Sequence, residues 1–259
     1  MIDAHVHIER GPYTLEWVNE FINQALKMGI TELYLLEHTH RFKEFEKYYE
    51  EISSYSNYQN DWYKNRTGLS LESYLELIKS YKNNENNIVK IKWGLEVCYL
   101  SGIENEIEKL KKENIMDFYT GSVLWINGWG FDHKKEFWVD KEIDTEYKKY
   151  FEKEKRLIKS GVFDNLAHPD SIKCFNHYPS YDLNETYEEV IDIAKKTNIK
   201  FEQSCGLYNN YGHQKIGLEI NYLKKLKANN IEIITATDAH CPEDVGKNIK
   251  KALLAIQDA

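Results

Sequence analysis

The sequence predicts an α/β protein whose parallel strands form a closed or nearly closed barrel. Short apolar runs alternate with longer stretches whose apolar residues recur at helical spacing, over about seven strand–helix units. Such alternation favours a mainly parallel sheet, because each helix carries the chain back to the start of the next strand. No internal repeat and no linker rich in Pro, Gly and Ser divides the 259 residues, so we expect one domain over residues 1–259.

The strands are expected at the apolar runs that are too short for helices. These runs are residues 1–8, 31–37, 88–97, 116–126, 162–167, 199–205 and 231–237. The helices are expected at residues 14–29, 69–83, 104–113, 142–160, 185–197, 215–229 and 243–257. In the first of them, Val18, Phe21 and Ala25 recur on one face. Residues 41–66 are rich in Tyr, Glu, Lys and Asn, and are predicted to form an irregular or partly helical excursion over the barrel mouth.

Composition argues against some classes of protein. A net charge of −8 argues against a nucleic-acid-binding protein with a broad basic surface. A small anionic substrate remains compatible with that charge, because a bound metal supplies local positive charge. No apolar run reaches the roughly 18 residues of a membrane span. We therefore expect neither a nucleic acid nor a membrane as a partner, while the oligomeric state is left open.

The amino terminus and the cysteines both favour a cytoplasmic protein. The chain starts without a basic stretch followed by an apolar segment, so we expect no signal peptide. The four cysteines, Cys98, Cys174, Cys205 and Cys241, are far apart and form no CxxC pair. This spacing is more typical of reduced thiols than of a disulfide framework.

Pairs of potential metal ligands lie at the ends of the first and last predicted strands. His5 and His7 are two residues apart, so both imidazoles face the same side of a strand and can meet one metal. Asp238 and His240 repeat this spacing after the last strand. A single pair of this kind is a weak signal, because a lone histidine at a strand end is more commonly structural.

Four further ionisable residues occupy corresponding positions on other strands. His38 and His40 follow the second strand, Glu96 lies near the end of the third, and His168 follows the fifth. The carboxyl ends of barrel strands form the catalytic face, so these side chains are expected to converge. Imidazoles and carboxylates suit Zn, Mn or Fe, and paired metals activate water. The residues themselves therefore predict a metal-dependent hydrolase.

Several short stretches resemble the PHP (polymerase and histidinol phosphatase) family, and within it the monofunctional histidinol-phosphate phosphatases. They are His5-Val6-His7, Glu37-His38, Glu96, GSVLWINGWGFD at 121–132, AHPD around His168 and TDAH at 237–240. The resemblance implies a distorted seven-stranded (β/α)7 barrel, similar to a TIM barrel, with two or three divalent metals. It also implies hydrolysis of a small phosphomonoester, which is histidinol phosphate in histidine biosynthesis if the substrate carries over.

The resemblance implies three metal sites. The implied ligands are His5, His7, Glu96 and Asp238 for the first, His38 and His240 for the second, and Glu96 and His168 for the third. Asp238 would also orient or deprotonate the attacking water, and His240 or His40 would protonate the leaving alkoxide.

Three positions depart from the family pattern. Leu124 stands where the family usually has histidine, so the third site keeps Glu96 and His168 unless His133 or His177 substitutes. Glu9 faces the same side as His7 and can complete the second site. Tyr208 stands where relatives have a phosphate-pairing arginine.

We expect Arg41 and His40 to bind substrate, with Arg10 and Lys173 as the other candidates for the phosphate. The aromatic stretch around Trp125 is expected to pack within the barrel rather than stack on a ligand. Two alternatives to a phosphatase are left open. One is a barrel hydrolase acting on phosphodiesters or C–N bonds, and the other is a pseudoenzyme that has lost a ligand.

Overall fold

The computed structural model describes residues 1–83 and 88–259, and their central feature is a barrel of seven parallel strands. The barrel strands are β1 (Ile2–His7), β2 (Glu32–His38), β3 (Lys90–Cys98), β4 (Phe118–Ser122), β7 (Asn165–Leu166), β8 (Lys200–Ser204) and β9 (Ile233–Ala236), paired in that order. A bridge between Val6 and Ala239 joins the first and last strands, and the His7 amide donates to the Ala239 carbonyl at 2.8 Å. The predicted nearly closed barrel of seven strands is thus confirmed.

Helices alternate with the strands and cover the outside of the barrel. They are α1 (Leu15–Met28), α4 (Leu71–Asn83), α5 (Glu104–Glu113), α6 (Ile143–Ser160), α7 (Asn184–Ala194), α9 (Ile220–Ala228) and α10 (Ile249–Asp258), and the short helix α8 (Gly206–Asn210) follows β8. Helix α1 begins where the Thr14 hydroxyl accepts from the Trp17 amide, and it ends at Gly29 in the left-handed conformation. No helix among the described residues is both long and apolar enough to cross a membrane.

The region predicted as one strand at 116–126 is divided into a strand and a hairpin. After β4 the chain forms the antiparallel pair β5 (Trp125–Ile126) and β6 (Trp129–Gly130). The connecting residues Asn127 and Gly128 both have positive φ, at 47° and 82°. This is the preferred turn chemistry of a two-residue hairpin, so the Asn-Gly pair was a signal that the strand prediction overlooked.

The predicted excursion over the mouth is partly helical. Two 3-10 turns, Thr39–Arg41 and Lys43–Tyr48, lead into the short helices α2 (Glu50–Tyr55) and α3 (Asn57–Lys64). Buried Gln59 fixes this segment to the hairpin, donating to the Gly128 carbonyl at 2.6 Å and accepting from the Gly130 amide at 3.2 Å. The excursion and the hairpin therefore form one side of the mouth together.

Helix α6 carries a fully buried carboxyl group, that of Glu154. Glu154 accepts a hydrogen bond from the Tyr222 hydroxyl at 2.9 Å, and burial raises the pKa of Glu154 from 4.5 to about 8. Between those values the folded chain keeps a proton that the unfolded chain releases. The free energy of unfolding therefore falls as pH rises through that window, by up to about 1.4 kcal/mol per pH unit for this group.

We expect Glu154→Gln to remove this loss. We would measure the free energy of unfolding in urea at pH 5 and at pH 7.5. The difference between variant and wild type should change in favour of the variant by at least about 1 kcal/mol from the lower pH to the higher. Glu108→Gln, on an exposed face of α5, is the control and should follow the wild type. Parallel pH profiles for wild type and Glu154→Gln would contradict the assignment.

Candidate metal centre

Four side chains converge at the carboxyl ends of the barrel strands. The Nε2 atoms of His5 and His7 lie 2.9 Å apart, and Glu96 Oε2 lies 3.3 and 3.2 Å from them. Asp238 Oδ1 lies 3.5 Å from His5 Nε2 and 3.7 Å from His7 Nε2. These separations are typical of ligand atoms around a single tetrahedral cation, in which metal–ligand bonds measure about 2.0–2.2 Å.

The barrel itself dictates this convergence. His5 and His7 alternate with buried Ala4 and Val6 along β1, so both imidazoles face inward. Asp238 follows β9 with a φ of 57°, a left-handed conformation that is uncommon for a residue other than glycine. Such conformations concentrate at functional sites, where the surrounding structure enforces them.

A second group of ligand atoms comes from His7, His38 and His240. The ring of His7 stacks on each of the other two, with centroid distances of 4.0 Å to His38 and 4.5 Å to His240, and those two rings lie 6.0 Å apart. Glu9 accepts from His240 Nδ1 at 2.7 Å, which leaves His240 Nε2 directed at the cluster. Glu9 therefore orients a candidate ligand, as outer-shell carboxylates commonly do in metal sites.

A third group consists of His5, Glu96 and His168. Glu96 Oε1 lies 3.1 Å from His168 Nε2, while its other oxygen lies 2.8 Å from His38 Nδ1. Glu96 thus reaches all three groups, because β3 lies beside β2 with His38 and Glu96 in register. Leu124 lines a cavity together with Glu96 and His168, and its side chain offers no donor atom to a metal.

The donor set fits divalent cations. The seven residues of the three groups offer imidazole nitrogens or carboxylate oxygens. Among the described residues, donor atoms lie within 4.8 Å of one another in each of three sets: His7, His38 and His240; His5, His7 and Asp238; and His5, Glu96 and His168. Burial lowers the pKa of His7, and the neighbouring His38 and His240 lower it further. Burial also lowers that of His5, but Glu202 and Glu96 raise it to well above its usual value. This crowding would be relieved by a shared cation, which neutral imidazoles and charged carboxylates can hold together.

Sequence reasoning missed Glu202 on β8. Its carboxylate lies 2.9 and 3.1 Å from His5 Nδ1 and accepts from the His168 amide at 3.0 Å. It therefore leaves His5 Nε2 for the cluster and fixes the strained His168, whose φ is 29°. Glu202 lies two residues before Ser204, at the end of a barrel strand, so the two side chains face the same side. This position was the signal that could have identified Glu202.

Arg41 lies beside the cavity rather than in it. Its Nη1 donates to Glu9 Oε2 at 3.2 Å, and its Nε lies 3.3 Å from Glu37 Oε2. Burial raises the pKa of Glu37 to about 8, although Arg41 counteracts that shift. The guanidinium predicted to bind substrate thus contacts two carboxyl groups, one of which, Glu9, also contacts His240. This arrangement favours a role for Arg41 in positioning His240.

The remaining positions that the sequence singled out, which are substrate candidates, substitute ligands and Tyr208, divide into two sets. Arg10, His40 and His133 line the cavity. Tyr208 and Lys173 do not line it, since the Tyr208 hydroxyl accepts from Lys251 and buried Lys173 donates to Asp170 at 2.6 Å. Two further histidines lie away from the third group of ligands. His213 shares a hydrogen bond with the Tyr178 hydroxyl, His177 stacks on Trp138, and neither lines the cavity.

The cavity above the cluster has a volume of about 710 Å³. Its lining combines cluster residues, including Glu96, His168, Asp238 and His240, with aromatic residues of the excursion and the hairpin. Sites for small molecules commonly have volumes of about 300–1,000 Å³. This cavity is therefore suited to a small substrate bound against the cluster.

Comparison with known proteins identifies the family. The sequence profile of the PHP domain matches residues 3–204, which is most of the chain. The chain belongs to the PHP domain family. A Deinococcus radiodurans protein named "Probable histidinol-phosphatase" is 26% identical to this PHP chain over 175 residues. That match covers 64% of this chain and 63% of the relative, so the chain spans less than two thirds of that protein's length.

Two solved structures share the fold of this PHP chain. A Listeria monocytogenes protein assigned as histidinol phosphatase HisK superposes with a TM-score of 0.76 at 17% identity, covering 97% of this chain and 99% of the other. Histidinol phosphate phosphatase from Lactococcus lactis, solved with zinc, L-histidinol and phosphate, gives a TM-score of 0.72 at 17% identity, with coverages of 99% and 92%. Both support the barrel architecture described above.

Proposed function

We propose that this PHP domain is a metal-dependent phosphomonoesterase that hydrolyses histidinol phosphate. The observation that carries the proposal is the convergence of His5, His7, Glu96 and Asp238 at the mouth of the barrel, with inter-atomic distances of 2.9 to 3.7 Å. The name of the Deinococcus relative and the L-histidinol and phosphate bound to the Lactococcus neighbour support the choice of substrate.

His5, His7, Glu96 and Asp238 would hold the first divalent metal, and His38 and His240 the second. Bound metals of this type, such as Zn, Mn or Fe, lower the pKa of water and neutralise phosphate oxygens. Asp238 takes the proton of the attacking water, whose oxygen forms the new bond to phosphorus while the ester P–O bond breaks. No covalent phosphoenzyme is involved, so the products are inorganic phosphate and the free alcohol.

We expect His40 to donate a hydrogen bond to the leaving oxygen as a neutral imidazole, because burial and the neighbouring His38 lower the pKa of His40 well below its usual value; the leaving alkoxide takes its proton from water. Both its ring nitrogens are buried without a hydrogen-bond partner among the described residues, and its ring lies 4.6 Å from that of His38. His240 is less suited to this role, because Glu9 engages its Nδ1 and its Nε2 is directed at the cluster. Of the two histidines considered from the sequence, His40 is thus retained, as a hydrogen-bond donor rather than as an acid.

We expect the phosphate group of the substrate to be bound by an arginine other than Arg41. Arg10 and Arg66 are the Lys or Arg side chains that line the cavity within residues 1–83 and 88–259. The pKa of Asp244 is lowered, chiefly by its hydrogen bond with Lys247 and to a smaller extent by the charge of the nearby Arg10. Arg10 directly follows Glu9, the partner of His240. We therefore assign Arg10 to the phosphate, in the role that relatives give to the arginine that Tyr208 replaces here.

The direct test is hydrolysis of histidinol phosphate by the protein loaded with Mn, Zn or Fe. Release of inorganic phosphate, lost when a chelator removes the metal and recovered when it is restored, is the expected result. A metal-loaded, folded protein that released no phosphate would overturn the proposal. Activity on a phosphodiester or an amide instead would identify a different barrel hydrolase.

The absence of a donor atom at Leu124 predicts how many metals the chain binds. The third group retains Glu96 and His168 with His5 nearby, but Glu202 and the first group already use the two ring nitrogens of His5. We therefore expect two tightly bound metals per chain in the wild type. Leu124→His should raise the content to three by elemental analysis, and Leu124→Met is the control of similar size. An unchanged count in Leu124→His would contradict this prediction.

A pseudoenzyme is the second candidate, and the same variant separates it from a weakened enzyme. Activity that rises with the third metal in Leu124→His indicates an enzyme limited by its missing ligand. Inactivity of both forms towards every phosphomonoester tested, despite full metal content, would favour the pseudoenzyme.

A further inference from the structure

The segment between β9 and α10 carries two of the candidate ligands. This segment, residues 237–248, which we call the ligand loop, contains Asp238 of the first group and His240 of the second. Asp238 has a left-handed backbone conformation, with a φ of 57°, and such a conformation persists only where surrounding contacts enforce it. The geometry of the metal centre therefore depends on what holds the ligand loop.

A single buried carboxylate, that of Asp3 on β1, accepts three hydrogen bonds from the ligand loop. Asp3 Oδ1 accepts from the Thr237 amide at 2.8 Å. Asp3 Oδ2 accepts from the Thr237 hydroxyl at 2.7 Å and from the Gly246 amide at 2.9 Å. Asp3 is fully buried and Thr237 is 1% exposed, so water has no access to replace the carboxylate as acceptor. Asp3 thus joins the two parts of the loop that flank its ligands.

Strand β1 also holds the ligand loop through its backbone. The His7 amide donates to the Ala239 carbonyl at 2.8 Å, and the Ala239 amide donates to the His5 carbonyl at 3.4 Å. Ala239 lies between the two ligands of the loop, while the residues bound to Asp3 lie outside them. The strand that carries the first histidine pair therefore holds the loop at three points.

The pairing of β1 is irregular where its contacts with the ligand loop and with the metal centre separate. Its register against β2 shifts between Asp3 and Val6. Irregularities of this kind redirect side chains and are frequent beside active sites. Here Asp3 contacts the loop, while His5 places Nε2 3.5 Å from Asp238 Oδ1. One short segment of β1 therefore contacts Asp238 through His5 and holds the preceding residue through Asp3.

We infer that Asp3 is a positioning residue, which fixes the ligand loop so that Asp238 and His240 reach the metals in the required geometry. The inference rests on the metal centre of the proposed function and does not depend on the substrate. Loss of the carboxylate leaves a buried amide, that of Thr237 or Gly246, without its acceptor. The loop then relaxes and metal affinity falls, because two ligands come from it. Outer-shell partners of metal ligands commonly contribute about 10- to 100-fold to metal affinity or activity.

The test measures the affinity of the protein for Zn²⁺ by competition with a chromophoric chelator. Asp3→Asn should weaken Zn²⁺ binding at least about ten-fold. Thr237→Val removes only the hydroxyl donor, should act in the same direction, and serves as the second variant if Asp3→Asn does not fold. Thr237→Ser keeps the hydroxyl and should restore most of the affinity that Thr237→Val loses.

Asp164→Asn is the matched control. Asp164 Oδ2 accepts from the Tyr119 amide at 2.8 Å, so this carboxylate also holds backbone next to a barrel strand, but neither residue lines the cavity. The variant should keep the Zn²⁺ affinity of the wild type even where its stability in urea falls. A merely structural role for Asp3 would instead give the two aspartate variants the same behaviour.

Hydrogen exchange in the metal-free protein provides a readout that needs neither metal nor substrate. Asp3→Asn should speed exchange within residues 237–246, and Asp164→Asn should not. Unchanged Zn²⁺ affinity in both Asp3→Asn and Thr237→Val, or an equal loss in Asp164→Asn, would overturn the inference. Faster exchange and weaker Zn²⁺ binding in Asp3→Asn, in a protein that hydrolyses no histidinol phosphate, would keep the positioning role and reject the proposed function.

Discussion

Glu96→Gln is expected to lower kcat/KM by at least about 1,000-fold, equivalent to about 4 kcal/mol of transition-state stabilisation. The Glu96 carboxylate lies within 3.3 Å of ring nitrogens on His5, His7, His38 and His168. It is also fully buried, so solvent cannot replace its charge. Glutamine keeps the shape but substitutes a neutral amide, which is a poor ligand for the proposed cations.

Elemental analysis provides the independent readout for this variant. We expect the metal content to fall by at least one ion per chain, while circular dichroism indicates a folded barrel. Glu108→Gln removes the same charge from an exposed helix face and should retain both metal and activity. Full metal content together with wild-type kinetics in Glu96→Gln would exclude Glu96 from the centre.

Gly206→Ala is expected to lower kcat/KM by at least about 100-fold, the cost of a small displacement at a reacting centre. A Cβ atom on Gly206 would lie 2.6 Å from Asp238 Oδ2 and 3.0 Å from Asp238 Cβ. Asp238 has little freedom to retreat, because its backbone is left-handed and its carboxylate lies 3.5 Å from both His5 and His240. The added methyl group must therefore displace the carboxylate that we propose as the general base.

A neighbouring substitution controls for general loss of packing. Cys205→Ala alters an equally buried position one residue earlier and should leave kcat/KM within a few-fold of the wild type. The metal content of Gly206→Ala should fall less than that of Glu96→Gln, because the remaining ligands of the first group are intact. Wild-type activity in Gly206→Ala would mean that Asp238 is more mobile than its contacts indicate.

The residues that sequence predicted best are those whose spacing is local. The His5–His7 and Asp238–His240 pairs are separated by two residues, so strand periodicity alone places each pair on one side. The barrel followed from the alternation of strands and helices, and the common edge of the strand ends brought His38, Glu96 and His168 to the same mouth. These residues are assembled as predicted, while their roles as ligands stay predictions.

The features that sequence did not predict depend on distant contacts. Glu202 is 197 positions from His5, and nothing in its local pattern names that partner. Arg41 pairs with Glu9, which is 32 positions earlier, and this contact could not be predicted from the local pattern; the predicted role of Arg41 in substrate binding stays a prediction. Trp62 of the excursion contacts Trp125 and His133 near the hairpin, across the mouth where Gln59 joins the two segments, and no local pattern predicts these contacts.

The bridge between Val6 and Ala239 also determines when the metal centre can assemble during folding. The first group of ligands joins residues from both ends of the barrel, and closing so long a loop costs conformational entropy. His5 and His7 therefore leave the ribosome as an incomplete pair, because Asp238 is added more than 200 residues after them. Metal that binds only the closed barrel stabilises this late step by mass action, so metal supply should govern the yield of folded protein.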